Sequence, residues 1–274
     1  MRRILLPIAV LALFVFANLA SAQQVLKTEG WGSLSGKVTL SGDVPAIVDL
    51  TDKMKIHADK ACCLDPKAKA IEKIDATWLV DPKTKAVANV VVWVKAPKDT
   101  FFPLPPNFKP NKTPLLIDQP HCAFLPRVSA YNPVTIVNGK EVETGQMVVF
   151  KNSAVVPHNT RAVGHPLKNS GFNVNLPPSG EISKTFVPQA LPISIQCDVH
   201  PWMAAKLFVF DHPYYAITKE DGTFEIPQVP AGAEVSVIAW HEGVGWALPE
   251  LGKGKATTLN AGKNTFDIEL KSPK

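Results

Sequence analysis

A cysteine, a histidine and a methionine follow one another at short spacing in the second half of the chain. Residues 194–210 read SIQCDVHPWMAAKLFVF, which places Cys197, His200 and Met203 in one loop after an apolar run. An ion that alternates between Cu(I) and Cu(II) suits two imidazoles and a thiolate in one plane with a weak axial thioether. The loop therefore predicts three of the four ligands of a mononuclear copper site.

A fourth donor must come from elsewhere, because so short a loop cannot surround a metal ion. His158, in VVFKNSAVVPHNTRA, follows an apolar strand and an Asn152-Ser153 turn and precedes Cys197 by 39 residues. That separation leaves room for a few strands. We predict that two neighbouring strand ends bring His158 against the loop of Cys197.

Each of these residues also has an ordinary structural interpretation. A lone cysteine that ends an apolar strand is usually a small buried hydrophobe, and Met203 fits an ordinary core position. The four residue types together, in a β-rich chain, favour a metal site. A protein that has the fold of a copper protein but whose site holds no metal in the cell is an alternative.

The loop at residues 197–203 resembles the ligand loop of the blue copper proteins, or cupredoxins. Its C-x-x-H-P-x-M pattern is similar to the short loop of the amicyanin type. Asn152 and the pair His158-Asn159 resemble the upstream segment that carries the first histidine of that family. The resemblance covers about residues 130–210.

The resemblance implies a role for each residue of the set. His158, Cys197 and His200 would be the equatorial ligands of one type 1 copper ion, and Met203 would be the axial ligand. It also implies a Greek-key β-sandwich and one-electron transport as the function.

Two neighbours of His200 fit a redox role. Pro201 removes a backbone donor and fixes φ, which stiffens the loop. Trp202, with Pro201, would form an apolar collar near the edge of His200. Such an electron-transfer patch suits a small, transient contact with a redox protein partner, a dehydrogenase or a cytochrome.

The beginning of the chain indicates export. Met1-Arg2-Arg3 precedes an almost unbroken apolar stretch at residues 4–19, and Ala20-Ser21-Ala22 resembles a cleavage site. This pattern predicts a signal peptide over residues 1–22 and a periplasmic or secreted mature protein. An uncleaved membrane anchor is the alternative. No later window is long and apolar enough to span a bilayer, so no span is expected after cleavage.

Composition and patterning predict an all-β protein. Twenty-five prolines and sixteen glycines indicate many turns, and apolar alternation recurs in GSLSGKVTLSG (32–42) and in ANVVVWVKA (88–96), a predicted central strand. Residues 49–70 are polar and fit a short helix or an irregular excursion. Without Arg2 and Arg3 the basic count falls from 29 to 27 against 24 acids, a net charge near +3. That balance, with scattered lysines, argues against nucleic acid as a partner.

A second β-sandwich module is expected beside the cupredoxin. Residues 221–232 resemble the D-G-x-F-x-I-x-x-V-P-A-G pattern of carboxypeptidase-regulatory-like modules. Residues 32–42 look like the first strand of the same module, so the copper domain is either inserted in it or packed between its parts. The arrangement resembles secreted bacterial proteins described as methylamine-utilisation-like or plastocyanin-like. The tripeptide Glu220-Asp221-Gly222, between YAIT and TFEI, predicts a hairpin.

The expected division of the chain follows from these resemblances. It comprises a signal peptide (1–22), an N-terminal β region that could belong to the second sandwich (23–129), the cupredoxin domain (130–210) and the carboxypeptidase-regulatory-like β-sandwich (211–274).

Three further cysteines allow two interpretations. A disulfide from Cys62 or Cys63 to Cys122 would leave one thiol free, and disulfides are the usual fate of paired cysteines in an exported chain. Alternatively, these three residues could form a second metal site with His57 and His121.

The sequence favours an electron carrier over an enzyme. A non-redox copper-binding module, or a sandwich that binds a protein partner or a glycan, is the main alternative. A copper enzyme that uses a second site, or several histidines such as His165, His212 and His241, is another. No paired-histidine motif, G-x-S-x-G, H-E-x-x-H or phosphate-binding loop occurs.

Overall fold

The computed structural model describes residues 23–248 and 252–272. The predicted signal peptide at residues 1–22 lies outside the described residues. Within them, no helix has the length and apolar character needed to cross a membrane.

Strands dominate the described part of the chain, and its helices are short. The first half contains β1 Gln24–Val25, β2 Gly30–Ser41, β3 Val48–Asp49, α1 Thr51–Lys55, α2 Lys60–Cys63, a 3-10 turn at Ala70–Lys73, β4 Ile74–Asp75, β5 Val91–Lys95, β6 Thr100–Phe101, β7 Leu115–Asp118, β8 Val128–Tyr131 and β9 Val134–Val137. The second half contains β10 Lys140–Glu143, β11 Val148–Lys151, β12 His158–Val163, β13 Phe172–Leu176, β14 Glu181–Lys184, β15 Ile193–Gln196, β16 Ala204–Val209, β17 Tyr215–Ile217, β18 Thr223–Ala231, β19 Glu234–His241, β20 Gly245–Trp246, β21 Lys255–Thr258, β22 Gly262–Thr265 and β23 Ile268–Lys271.

Two sheets form a first β-sandwich, here called sandwich I. One has the strand order β14-β11-β7 and the other the order β13-β12-β15-β16-β8. Alternate residues of their strands, including Phe150, Ile195 and Leu207, lie in one buried apolar core. The Tyr131 hydroxyl in this core accepts a hydrogen bond from the backbone nitrogen of Phe186 at 2.9 Å, which satisfies a buried polar atom.

A second sandwich, sandwich II, combines strands from both ends of the described chain. The order β17-β5-β19-β20, with β21 also on β19, faces a sheet in which β2 pairs with β18, β22 and β23. Pairs such as Trp31 with Pro230 and Val38 with Ile268 join segments more than 190 positions apart in sequence. The chain therefore begins sandwich II, builds sandwich I, and then returns to complete sandwich II.

The two sandwiches pack against each other through a third apolar cluster. Side chains alternate along β5, so Val92 and Val94 enter the core of sandwich II while Trp93 points to the other side. There the Trp93 ring contacts that of Phe208 on β16, with centroids 5.7 Å apart. Because both faces of β5 are buried, its sequence reads as a continuous apolar run.

Two local expectations differ from the structure. Gly222 takes the positive φ of a tight turn, but β17 pairs with β5 and β18 pairs with β2. The predicted hairpin at Glu220-Asp221-Gly222 is therefore wrong, because the turn carries the chain between facing sheets.

The sheets of sandwich I begin upstream of residue 130. Strand β7 pairs with β11, and strand β8 pairs with β16. Residues 49–70 contain α1 and α2, and both lie beside the site described next.

Candidate metal centre

Three donor atoms converge at one end of sandwich I. The Cys197 sulfur lies 3.9 Å from Nδ1 of His158 and 4.0 Å from Nδ1 of His200. All three side chains are buried. Neither Nδ1 atom has another hydrogen-bond partner among the described residues, so both lone pairs are available on the side of the sulfur.

The loop between β15 and β16 has a closed backbone. Cys197 follows the last residue of β15, and Met203 precedes the first residue of β16. The Met203 nitrogen donates to the carbonyl of His200 at 2.9 Å, and the Cys197 nitrogen donates to the carbonyl of Met203 at 3.3 Å. Met203 is buried in the same core cluster as Cys197. The three loop residues of the predicted ligand set are therefore held within one tight turn.

A buried asparagine fixes the approach to His158. His158 is the first residue of β12, which follows a crossing from one sheet of sandwich I to the other. Asn152, in that crossing, donates to the carbonyls of Val156 and Leu176, each at 2.9 Å, and accepts from the nitrogen of Ala154 at 3.0 Å. Because both its N–H groups and its oxygen are hydrogen-bonded, the Asn152 amide fixes the crossing segment and therefore the position of the first residue of β12.

Asn159 ties β12 to the loop of Cys197. Its Oδ1 accepts from the backbone nitrogens of Asp198 at 2.6 Å and Val199 at 3.3 Å, and lies 3.2 Å from the Cys197 sulfur. In this thiol form the sulfur donates to Asn159. Adjacent residues of one strand thus supply a candidate ligand, His158, and the anchor of the opposing loop.

Burial keeps both histidines in the form that binds metals. Burial, followed by the nearby charge of His200, lowers the pKa of His158 to about 4. Burial, followed by the charge of His57, also lowers the pKa of His200, while Asp59 acts in the opposite direction. Neutral imidazoles are metal ligands and imidazolium ions are not, so the pair is ready to bind at neutral pH.

The donor set fits one first-row metal ion. Bonds of ~2.0 Å to nitrogen and ~2.3 Å to sulfur, as zinc makes, allow those atoms to be at most ~4.3 Å apart. Both measured separations are below that limit. Two imidazoles and a thiol, with the thioether residue Met203 in the same loop, suit copper, whereas hard cations prefer oxygen. The residues present therefore fit the implied ion.

His200 is covered by residues from the polar excursion at 49–70. Its side chain has no exposed surface, and Nε2 lies 3.2 Å from the Asp59 carboxylate. The ring of His57 packs on that of His200 with centroids 4.5 Å apart, and Trp202 lies 5.4 Å from it. The edge of His200 is therefore not open to solvent.

Pro201 and Trp202 lie where the loop meets the surface. Pro201 is exposed and Trp202 is partly buried. The indole nitrogen of Trp202 donates to the carbonyl of Cys122 at 3.1 Å, and its ring meets that of His57 edge-on at 5.3 Å. Trp202 thus touches both the candidate centre and its cover.

The structure joins Cys63 to Cys122 in a disulfide and leaves Cys62 buried and free. This bond removes two thiols from the five-residue metal cluster considered above. His121 instead pairs with the buried carboxylate of Glu72 at 2.9 Å, and His57 lies against His200. A second metal site built from all five residues is therefore not formed.

The remaining histidines lie apart from the centre. Nδ1 of His165, His212 and His241 accepts a backbone hydrogen bond two residues further on, at 3.3, 3.2 and 3.1 Å respectively. His241 also packs on Trp78, with ring centroids 4.2 Å apart. These contacts are structural, and the three side chains do not form a common cluster.

The sequence reasoning missed one part of the site, namely its cover. The sequence pattern does not single out Asp59, and it places His57 in the predicted cluster with Cys62, Cys63, His121 and Cys122. The available signal was the H-A-D tripeptide at 57–59, in an otherwise lysine-rich excursion. Nothing in sequence spacing connected it with a loop 140 residues downstream.

No protein-family model and no curated protein matches this chain. Several solved structures resemble part of it. An amicyanin variant with Cu(I) is 18% identical over 35% of this chain and 81% of its own, with a TM-score of 0.28. A Cu-containing nitrite reductase from Thermus scotoductus SA-01 is 17% identical over 36% of this chain and 23% of its own, with a TM-score of 0.29. A purple cupredoxin from Nitrosopumilus maritimus is 18% identical over 36% of this chain and 99% of its own, with a TM-score of 0.26. TM-scores this low establish no relationship, so the function is inferred from the site.

Proposed function

We propose that this chain is an exported copper protein of the cupredoxin type that transfers single electrons through one type 1 copper ion. The convergence of His158, Cys197 and His200, all buried, with Met203 in the same loop is the observation that carries the proposal. The ion would supply a one-electron Cu(I)/Cu(II) couple.

The chain's own residues explain how such a couple would be used. The two neutral imidazoles and the thiolate left when Cys197 loses its proton suit both oxidation states. Asn152 and Asn159 hold the donors on two adjacent strands and a hydrogen-bonded loop. Because this frame is rigid and closed to water, a change of charge at the centre would require little rearrangement, which favours fast electron transfer.

The surface beside the loop suits a transient redox partner, a dehydrogenase or a cytochrome. A surface cavity of about 450 Å³ is lined by Lys53, Ile56, His57, Pro201 and Trp202. Ile56 is 88% exposed. A small apolar contact with one nearby charge is typical of short-lived encounters between redox proteins.

The proposed location is the periplasm or the outside of the cell, which suits the same function. A disulfide such as that between Cys63 and Cys122 persists in oxidising compartments and is rare in the cytosol. The signal-peptide pattern at residues 1–22 predicts the same destination.

The visible absorption spectrum of the mature protein loaded with Cu(II) tests the proposal. An intense thiolate-to-copper band is expected, lost in Cys197→Ser and retained in Cys62→Ser. Cys62 is a matched control, because it is the other free buried cysteine. A colourless wild-type protein would overturn the proposal and favour a module that binds a protein partner or a glycan. A coloured protein without a reversible potential would be a non-redox copper-binding module.

A further inference from the structure

The carboxylate of Asp59 is the charged group that meets the outer nitrogen of His200. The distance from Oδ2 to Nε2 is 3.2 Å, at the side of the imidazole ring opposite to the Cys197 sulfur. The two groups are at ion-pair distance but are not aligned as a hydrogen bond. Functional contacts are commonly long or misaligned before a ligand binds.

We propose that Asp59 is a positioning residue for the metal centre. Its carboxylate would hold the proton of His200 on Nε2, leave the lone pair of Nδ1 for the ion, and lower the reduction potential of the site. The inference rests on the proposed function and extends it, because it assigns a role to a segment outside the four ligands.

Alternative partners for either group are scarce. His200 Nε2 is buried, and no hydrogen-bond partner reaches it among the described residues. Among the described residues, no lysine or arginine forms an ion pair with the Asp59 carboxylate, whose other ionisable neighbour is Nδ1 of His57 at 3.8 Å. His200 is therefore the nearest ionisable protein group to the Asp59 carboxylate, whose side chain keeps 27% of its surface exposed.

Asp59 is itself held in place from several directions. Its backbone nitrogen donates to Nδ1 of His57 at 3.1 Å, and its carbonyl accepts from the nitrogens of Cys62 at 2.9 Å and Cys63 at 3.1 Å. Cys63 is bonded to Cys122, whose carbonyl accepts from the Trp202 indole. The disulfide thus fastens the segment of Asp59 to the part of sandwich I that contacts the ligand loop.

The expected electronic effect follows from charge and basicity. A carboxylate paired with the outer N–H of a ligating imidazole makes that imidazole a stronger donor and fixes its orientation. Both the stronger donor and the nearby negative charge stabilise Cu(II) more than Cu(I). Asp59 would therefore lower the potential below that of the same centre without it.

The first test compares midpoint potentials of copper-loaded wild type, Asp59→Asn and Asp52→Asn. Removing the charge at position 59 should weaken binding of Cu(II) relative to Cu(I) by about tenfold, which raises a one-electron potential by about 59 mV. Asp52→Asn is the matched control, because Asp52 lies on the same excursion, is 92% exposed and pairs with Lys55. Asp59→Glu should recover part of the shift. Equal potentials for wild type and Asp59→Asn would overturn the proposal.

A second readout does not need copper. Nitrogen-15 NMR of the metal-free protein should find the His200 proton on Nε2, and Asp59→Ala should mix the two tautomers. An unchanged tautomer in Asp59→Ala would overturn the inference even if the copper band is present. A colourless protein with the expected tautomer change would instead overturn the proposed function and leave the Asp59–His200 contact supported. Binding of two zinc ions per wild-type chain, with the second lost in Asp59→Asn, would make Asp59 a ligand and also overturn the positioning role.

Discussion

Oδ1 of Asn159 lies 2.6 Å from the backbone nitrogen of Asp198, so the residue after one candidate ligand holds the residue after another. His158 begins strand β12, and Cys197 lies in the loop that follows β15. Strands β12 and β15 are neighbours in one sheet. This single contact links the orientation of the loop to the register of the sheet.

Replacing Asn159 with alanine should loosen the loop and weaken metal binding. The change removes the acceptor of two backbone N–H groups and should cost about 2–3 kcal/mol of unfolding free energy. Chemical unfolding of the metal-free protein would measure the loss of unfolding free energy. The width of the copper band would report the looser loop.

Asn173→Ala is the matched control, because Asn173 belongs to the same side-chain network but binds no backbone group of the loop. Its Nδ2 donates to the Asp198 carboxylate at 2.7 Å, and its Oδ1 accepts from Nδ2 of Asn159 at 2.7 Å. It should cost about 0.5 kcal/mol or less. Equal losses in the two variants would contradict the anchoring role of Asn159.

Replacing Trp202 with lysine should slow electron exchange while copper remains bound. The substitution adds a charge to the apolar surface beside the loop but alters none of the four predicted ligands. Self-exchange rates at equal copper content would measure the effect, and Trp202→Phe should stay close to wild type. Loss of copper from Trp202→Lys would mean that the indole supports the site and not the contact surface.

Removing the disulfide should destabilise the protein substantially. Cys63 and Cys122 are 59 positions apart, and closing a loop of that length contributes about 4 kcal/mol. The double variant Cys63→Ser/Cys122→Ser should therefore unfold at a lower denaturant concentration, and its potential should move toward that of Asp59→Asn. The unfolded, non-reduced wild type should show two reactive thiols, Cys62 and Cys197. Four reactive thiols would contradict the pairing.

Buried His241, remote from the candidate centre, should make stability depend on acid. Burial lowers the pKa of His241 from 6.5 to about 4. Above pH 6.5 the residue is neutral in both states, so stability is complete. Between pH 6.5 and 4 the unfolded chain takes up the proton first, and about 3 kcal/mol is lost as the pH falls.

His241→Gln removes this contribution, since glutamine does not titrate. The unfolding free energy of wild type should fall by about 3 kcal/mol more than that of His241→Gln between pH 7.5 and pH 4. Parallel pH profiles for the two proteins would show that His241 is equally protonated in the folded and unfolded states.

Local patterns were enough to predict much of the β architecture. The apolar run at 88–96 indicated a central strand, and β5 is indeed buried on both faces. Its alternation also shows why sequence could not say more, because a residue such as Trp93 reads the same whether it faces its own core or a second sandwich. The erroneous hairpin at Gly222 has the same origin. A turn is a local signal, whereas the partner of each flanking strand is decided by distant residues.

By itself, the sequence determined the all-β class and the candidate donors His158, Cys197, His200 and Met203, because donor chemistry and short spacing within one loop are local properties. Only the tertiary structure decided that Asp59 and His57 cover His200, and that Cys63 rather than Cys62 bonds to Cys122. These contacts join segments 59 to 143 positions apart. Such contacts depend on how the sheets pack, which no local pattern encodes.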